Sequence, residues 1–94
     1  MVVTDKGLLE MLAAAQPSGT GFIKDAAVAI VACGDPSARL WIEDCSIAAL
    51  TMQYAACDLG LGSCWSSMRL NDHSDTQTST HYIAELLDLP AELM

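Results

Sequence analysis

The stretch LGLGSCWSS, residues 59–67, combines residue types that could hold the edge of a planar organic cofactor. Its two glycines lack a Cβ atom, so the backbone there can come close to a flat or bulky group. Ser66 and Ser67 are small and follow Trp65 directly, which leaves their backbone N–H groups accessible as hydrogen-bond donors. A tight turn from a helix into a strand, with a tryptophan in the core, explains the same residues without a ligand. Both interpretations stay open on these residues alone.

Two other groups of reactive side chains have less support. Ser63 and Cys64 do not form a nucleophilic-serine motif, because Trp65 stands where the G-x-S-x-G pattern requires its final glycine. The sequence also shows no neighbouring base or cation that would activate the thiol. His73 lies in the stretch DHSD, residues 72–75, which could bind a metal or act as an acid–base pair. Such a short acidic stretch is more often a solvated loop, so we predict neither a catalytic side chain nor a metal ligand.

Charge and length limit the classes of protein to consider. The chain has 94 residues and a formal net charge of −8, with only four lysines and arginines. Nucleic-acid binding requires a cationic surface, and an anionic membrane would repel this chain, so neither partner is expected. The length predicts one domain over 1–94. The N-terminal residues show no signal-peptide pattern, and four cysteines without C-x-x-C spacing indicate buried, reduced thiols, so we expect a cytoplasmic protein.

The hydrophobic pattern predicts alternating strands and helices. A strand ends at Val3, and a helix capped by Thr4 or Asp5 is predicted to run to about Ala15. The apolar run AAVAIVAC, residues 26–33, is typical of a strand covered on both faces. A polar surface loop with some order of its own is predicted for 66–81, and a short helix follows, with Pro90 as its stop. Its inward-facing residues are expected to be Ile83, Leu86, Leu87 and Leu89.

The longest predicted element is a helix from about 36 to 59, with Asp35 as its N-cap, Pro36 in its first turn and Gly60 just after its end. Its residues 44–60 are apolar on almost every side. A helix that is apolar all round must be covered all round, which a thin domain cannot do alone. Polar residues interrupt the run too early for a membrane span. We therefore predict that the 44–60 helix lies at a subunit interface.

The ordered set of motifs resembles the FMN-dependent nitroreductase family. The stretch IKDAAVAIVACGD, the helix that begins near WIEDC, and the ending LGLGSCW are similar to the central part of that family. TDKGLLEMLAAAQ and YIAELLDLP match its flanking patterns. The resemblance implies a partial α+β fold of this family, an α/β sandwich with a long central apolar helix at a homodimer interface.

The resemblance also implies a function. Family members pass a hydride from NAD(P)H to FMN and then to a nitro compound, a quinone or a similar small acceptor. By correspondence, the backbone against the flavin ring is supplied here by Ser63, Cys64, Trp65, Ser66 and Ser67, with the N–H groups of Ser66 and Ser67 near the N5/O4 edge. The family's Arg-rich phosphate-binding segment and its C-terminal strand have no counterpart within 1–94. The alternative is therefore a truncated, cofactor-free dimeric remnant or interaction module.

Overall fold

The computed structural model describes residues 1–90 and 92–94. Its strands form two separate antiparallel pairs, β1 with β2 and β3 with β4. The combination of helices with two small sheets confirms the α+β class. In chain order the elements are β1 (Val2–Val3), α1 (Lys6–Ala13), a 3-10 helix (Gly21–Asp25), β2 (Ala29–Ile30), α2 (Trp41–Asp58), β3 (Asp72–Ser74), β4 (Gln77–Thr78) and α3 (Ser79–Leu86).

Helix α1 provides the centre of the core. Asp5 caps it as predicted, because its carboxylate accepts a hydrogen bond from Leu8 N at 2.9 Å. Leu9 and Leu12 lie one turn apart on the inner face and are 1% and 2% exposed. They pack with residues of β1, the 3-10 helix and α3. The buried apolar cluster comprises Val3, Leu9, Leu12, Ala15, Ile23, Ile83 and Leu87.

The C-terminal end of α1 is held by side chains from other elements. The helix ends at Ala13, two residues before the predicted end. The last carbonyl groups of a helix have no partner within it, so they need donors from elsewhere. Four side chains supply them. The Thr20 hydroxyl donates to Ala13 O at 2.9 Å, His73 Nδ1 lies 2.8 Å from Ala14 O, the Ser79 hydroxyl donates to Ala15 O at 2.8 Å, and the Tyr82 hydroxyl donates to Met11 O at 3.0 Å.

The strand predicted over 26–33 is much shorter in the structure, and its expected coverage on both faces is wrong. Only Ala29–Ile30 pair with β1, in the register Val2 with Ile30 and Val3 with Ala29. Val28 and Ile30 are 45% and 51% exposed. An apolar run reveals that a strand needs covering, but which neighbours cover it depends on the rest of the fold. Within the described residues, β2 has one neighbouring strand, and its outer edge is not paired.

Helix α2 begins later than predicted and ends where predicted. Asp35 does not cap it; its carboxylate instead accepts from Ser37 N at 2.8 Å and forms a local turn. Hydrogen bonding from the Ser37 side chain, and then from its backbone N–H, lowers the pKa of Asp35. The helix begins at Trp41. At its end, Gly60 adopts a φ of +73°. Gly60 N donates to Cys57 O and Leu61 N to Ala56 O, at 3.0 and 2.8 Å, which is a Schellman motif.

Two faces of α2 have different surroundings. A half-buried stripe faces the rest of the chain and includes Trp41, Cys45 and Met52. The opposite side, here called the outer face, consists of Ile47, Ala48, Leu50, Thr51, Tyr54 and Ala55, all exposed. Ile47 and Tyr54 are 63% and 69% exposed. No charged residue lies between Ile47 and Cys57.

None of the helices in the described residues combines the length and the apolar character that a membrane-spanning helix requires.

The polar stretch 66–81 has more regular structure than a loop. β3 and β4 form a short hairpin with an irregular register between Asp72 and Ser74. α3 then begins at Ser79, three residues before the predicted YIAELLDLP helix, because the Thr78 hydroxyl caps it by accepting from His81 N at 3.3 Å. Ile83 and Leu87 face the core as predicted, and Leu86 and Leu89 pack against it.

Helix α3 ends before Pro90 for a local reason. Asp88 has a φ of +51°. Asp88 N donates to Glu85 O and Leu89 N donates to Ala84 O, at 3.3 and 2.9 Å. These two bonds form a second Schellman motif, in which an aspartate occupies the left-handed position that glycine usually takes.

A close contact between Gly34, which follows β2, and the start of α2 yields a first testable prediction. Gly34 exchanges two backbone hydrogen bonds with Met94, at 2.9 and 3.0 Å. A Cβ atom at this glycine would lie 2.9 Å from Cys45 Sγ and 3.0 Å from Trp41 Cε3. We expect Gly34→Ala to lower the free energy of unfolding by about 1–3 kcal/mol, because the start of α2 must move. Urea unfolding measures this.

A second glycine provides the control for this prediction. A Cβ atom at Gly21, in the 3-10 helix, would meet nothing within 4 Å. Gly21→Ala makes the same chemical change in open space, and we expect the free energy of unfolding to change by less than about 0.5 kcal/mol. Equal losses in the two variants would contradict the close contact at Gly34.

Candidate functional site

The segment 62–67 connects the end of α2 to the β3–β4 hairpin without regular secondary structure. The Schellman motif at Gly60 reverses the chain and sends it along the surface. Ser63, Cys64, Trp65 and Ser67 are exposed, and Ser66 is half-buried. Trp65 is 52% exposed, so it is not the core tryptophan of the ligand-free interpretation.

The backbone N–H groups of this segment are available as donors. From Gly62 to Ser67, none of them donates to an acceptor among residues 1–90 and 92–94. Helices and sheets use such groups internally, so a run of six donors without a partner in the described chain could bind an external acceptor. The side chains contribute one weak contact, in which Cys64 Sγ lies 3.8 Å from Trp65 O.

The carbonyl of Ser67, in contrast, is firmly held. Gln16 Nε2 donates to it at 2.7 Å, and Asn71 Nδ2 donates to it at 3.0 Å. Gln16 follows α1, and Asn71 precedes β3, so two distant parts of the chain meet at one backbone atom. Gln16 and Asn71 could not be predicted from the sequence. No motif marks them, because the contact with Gln16 spans 51 positions of the chain.

The four cysteines differ in their surroundings, and the prediction that they are buried is only partly right. All four are unpaired thiols; Cys33 and Cys45 are half-buried, whereas Cys57 and Cys64 are exposed. The exposed pair lies at the end of α2 and just beyond it, where the chain leaves the core. Burial raises the pKa of the Cys45 thiol, with smaller contributions from Cys33 and Asp44. A raised pKa keeps that thiol protonated, which disfavours nucleophilic chemistry there.

The histidines have structural partners. Since a carbonyl only accepts, His73 carries its proton on Nδ1 and donates to Ala14 O. Its ring stacks on Tyr82 with centroids 3.9 Å apart. His81 Nε2 lies 3.1 Å from Glu85 Oε1 on the exposed side of α3. The described residues contain no group of three or more His, Cys, Asp or Glu side chains that could hold a metal ion.

Two open surface depressions lie away from the segment 62–67. One is formed by Pro17 and the β3–β4 hairpin, and the other by β1 and the end of α3. Neither brings together charged or nucleophilic groups in an enclosed space. We therefore regard Ser63–Ser67, with its row of donors, as the candidate site.

Comparisons with known proteins agree on one family. Residues 3–94 match the sequence model of the nitroreductase family. A protein of Methanothermobacter thermautotrophicus, provisionally named NADH dehydrogenase/NAD(P)H nitroreductase, is 39% identical in an alignment of 72 residues that covers 72% of this chain and 37% of that protein. A protein of Archaeoglobus fulgidus with the same provisional name is 36% identical in an alignment of 70 residues that covers 69% of this chain and 40% of that protein.

A solved structure gives the same result for the fold. The FMN-dependent nitroreductase from Clostridium difficile R20291 superposes with a TM-score of 0.96 and is 40% identical, over 99% of this chain and 55% of that one. The chain thus spans 37% to 55% of the length of these three similar proteins. The family match over 3–94 and this superposition confirm the predicted α+β fold with its long central helix, and the chain belongs to the nitroreductase family.

Proposed function

We propose that the protein is a flavin oxidoreductase that transfers hydride from NAD(P)H through FMN to a nitro compound, a quinone or a similar small acceptor. The observation that carries this proposal is the row of accessible N–H donors from Gly62 to Ser67. Family membership and the FMN-dependent neighbour support the choice of cofactor. A cytoplasmic location is part of the proposal, since the thiols are unpaired.

The residues of the segment fit the ring of FMN. The N5 and O4 atoms at one edge of the flavin are hydrogen-bond acceptors, and they match the N–H groups proposed at Ser66 and Ser67. The exposed indole of Trp65 offers an aromatic surface beside them. The phosphate requires cationic or N–H donors, and none of the four lysines and arginines falls within Ser63–Ser67. The segment is therefore proposed as a ring site.

In this proposal FMN supplies the redox chemistry when it is bound. The chain's own residues orient it and adjust its surroundings. The N–H groups of Ser66 and Ser67 would hold the oxidised ring in place by donating to its N5 and O4 atoms, and so would fix its orientation. The proposal assigns no proton transfer to the side chains of this segment, which would lie next to the ring: Ser63, Cys64, Trp65, Ser66 and Ser67.

The proposed assembly is a homodimer through the 44–60 helix. The outer face of α2 exposes Ile47, Leu50 and Tyr54 without an intervening charge. The hydroxyls of Ser46 and Thr51 donate to carbonyl groups one turn earlier, at 2.8 and 2.7 Å. These two hydroxyls are therefore paired inside the helix, and a second copy that covers the outer face would have to provide a partner for the Tyr54 hydroxyl.

The first experiment is a visible absorbance spectrum of the purified protein after incubation with FMN and removal of free flavin. We expect a retained flavin band, which bleaches when NADH or NADPH is added without oxygen. Wild-type protein that stays colourless would overturn the flavin proposal.

A pair of variants at Ser66 tests whether the backbone donors carry the binding. Proline has no N–H group, whereas alanine keeps it. We expect Ser66→Pro to weaken FMN binding by about tenfold or more and Ser66→Ala by less than about twofold. Flavin fluorescence titration measures both, and circular dichroism verifies that the helices are intact. Equal affinities in the two variants would show that the Ser66 N–H does not contribute.

The second candidate is a dimeric interaction module without a cofactor. The absence of cationic residues from Ser63–Ser67, together with the exposed outer face of α2, favours it. It predicts a stable dimer that retains no flavin in the experiment above. Micromolar FMN binding by the wild-type protein would exclude this candidate.

A further inference from the structure

We propose that Gln16 is a positioning residue for the flavin site, acting through the carbonyl of Ser67. This inference rests on the proposed function. Gln16 lies 51 positions before Ser67 in the chain, and its amide nitrogen is 2.7 Å from Ser67 O. The same nitrogen is 3.2 Å from Met68 Sδ. One side chain thus fixes two consecutive residues at the end of the segment.

Gln16 can hold this position because the backbone before it is immobilised. Ala15 is 0% exposed within the core cluster. The carbonyl groups of Ala14 and Ala15 accept from His73 and from the Ser79 hydroxyl, both at 2.8 Å. The side chain therefore extends from a rigid anchor, which reduces the entropy lost when it binds Ser67.

Asn71 completes the arrangement from the other side. Its Nδ2 atom donates to Ser67 O at 3.0 Å and lies 3.2 Å from Arg69 O. The backbone carbonyl of Asn71 accepts from Ser79 N at 2.9 Å, which ties it to the start of α3. Two amides on one carbonyl restrict the peptide plane more strongly than one, since each donor has its own directional preference.

The consequence concerns the proposed ligand contacts. The N–H groups of Ser66 and Ser67 lie within two residues of the held carbonyl and have no acceptor of their own in the described chain. Without Gln16 these donors would sample several directions, and FMN would have to order them on binding. Preorganised donors cost less to use, so Gln16 should increase the affinity for the flavin and sharpen its environment.

The test compares Gln16→Met with Gln77→Met. Both replace a half-buried amide with an apolar side chain of similar length, but Gln77 Nε2 donates to Glu85 Oε2 at 2.7 Å and not to Ser67. We expect Gln16→Met to weaken FMN binding by about five- to tenfold and to shift the visible flavin band towards that of free FMN. Gln77→Met should leave both unchanged. Equal affinity and an equal spectrum in wild type and Gln16→Met would overturn the inference.

A measurement without flavin separates this inference from the proposed function. Backbone ¹⁵N order parameters of Ser66 and Ser67 should fall from near 0.85 towards 0.6 or below in Gln16→Met. If wild-type protein retains no FMN, the proposed function fails, and unchanged order parameters would then overturn the role of Gln16 as well. Should Gln16→Met fail to fold, Asn71→Asp removes the second donor to the same carbonyl, and the same two readouts apply.

Discussion

Replacing Ala55 with glutamate is expected to dissociate the proposed dimer. Ala55 lies on the outer face of α2, beside the exposed Tyr54 and in the uncharged stretch that continues to Cys57. A carboxylate buried there would have no partner, which costs several kcal/mol per ion. We expect the dissociation constant of self-association to rise about 100-fold or more, at about 1.4 kcal/mol per tenfold change. Sedimentation velocity over a range of protein concentrations measures this.

The control variant introduces the same negative charge on another helix, α1. Met11 is an apolar residue of α1 that is 43% exposed. Met11→Glu changes the net charge by the same amount at a surface that the dimer proposal leaves in solvent. Its sedimentation profile should equal that of the wild type. If Ala55→Glu also sediments as the wild type does, the 44–60 helix is not the interface.

Local sequence signals predicted the elements whose ends are fixed by neighbouring residues. Asp5 caps α1 through Leu8 N, three residues on, and Gly60 ends α2 through a motif contained within six residues. The inward side of α3 followed from the spacing of Ile83 and Leu87. In each case the determining contact joins residues within one or two helical turns of each other, so the spacing in the sequence predicts which residues are close in space.

The sequence was less informative where two local structures compete. Asp35 before Pro36 is a good N-cap in principle, but its carboxylate instead binds Ser37 N and closes a turn. The 3-10 helix at Gly21–Asp25 was not predicted, because the breakers at 16–21 indicate only that a regular helix cannot continue. Asp88 in the left-handed region had no sequence signal, since aspartate adopts it far less often than glycine.

The candidate site also combines features that local sequence predicts with features that depend on the tertiary structure. Its residues, Ser63–Ser67, came from a contiguous stretch, and the structure places them in an exposed segment with accessible N–H groups. The two hydrogen bonds from Gln16 and Asn71 to the carbonyl of Ser67 could not be predicted, because they depend on how α1 and the β3–β4 hairpin pack. Contacts of that kind require the tertiary structure, which no spacing rule encodes.

The core gives the second prediction with a large expected effect. Leu9 is 1% exposed at the centre of the buried cluster, between β1, the 3-10 helix and α3. Leu9→Ala removes its methyl groups and leaves a cavity, which costs about 2–5 kcal/mol in free energy of unfolding. A chain of this length is expected to have about 5–14 kcal/mol in total, so the variant should lose a large share of its stability. Urea unfolding at fixed protein concentration measures the change.

Leu70 offers the matched substitution at the surface. It is 86% exposed, so Leu70→Ala should change the free energy of unfolding by no more than about 0.5 kcal/mol. Repeating both titrations at several protein concentrations relates the core to the proposed dimer. If folding requires the partner, every unfolding midpoint rises with protein concentration. Leu9→Ala then lowers the midpoint by leaving a cavity in the core, whereas Ala55→Glu lowers it by weakening the dimer. A midpoint that is independent of concentration would mean that the core around Leu9 folds without the outer face of α2 being covered.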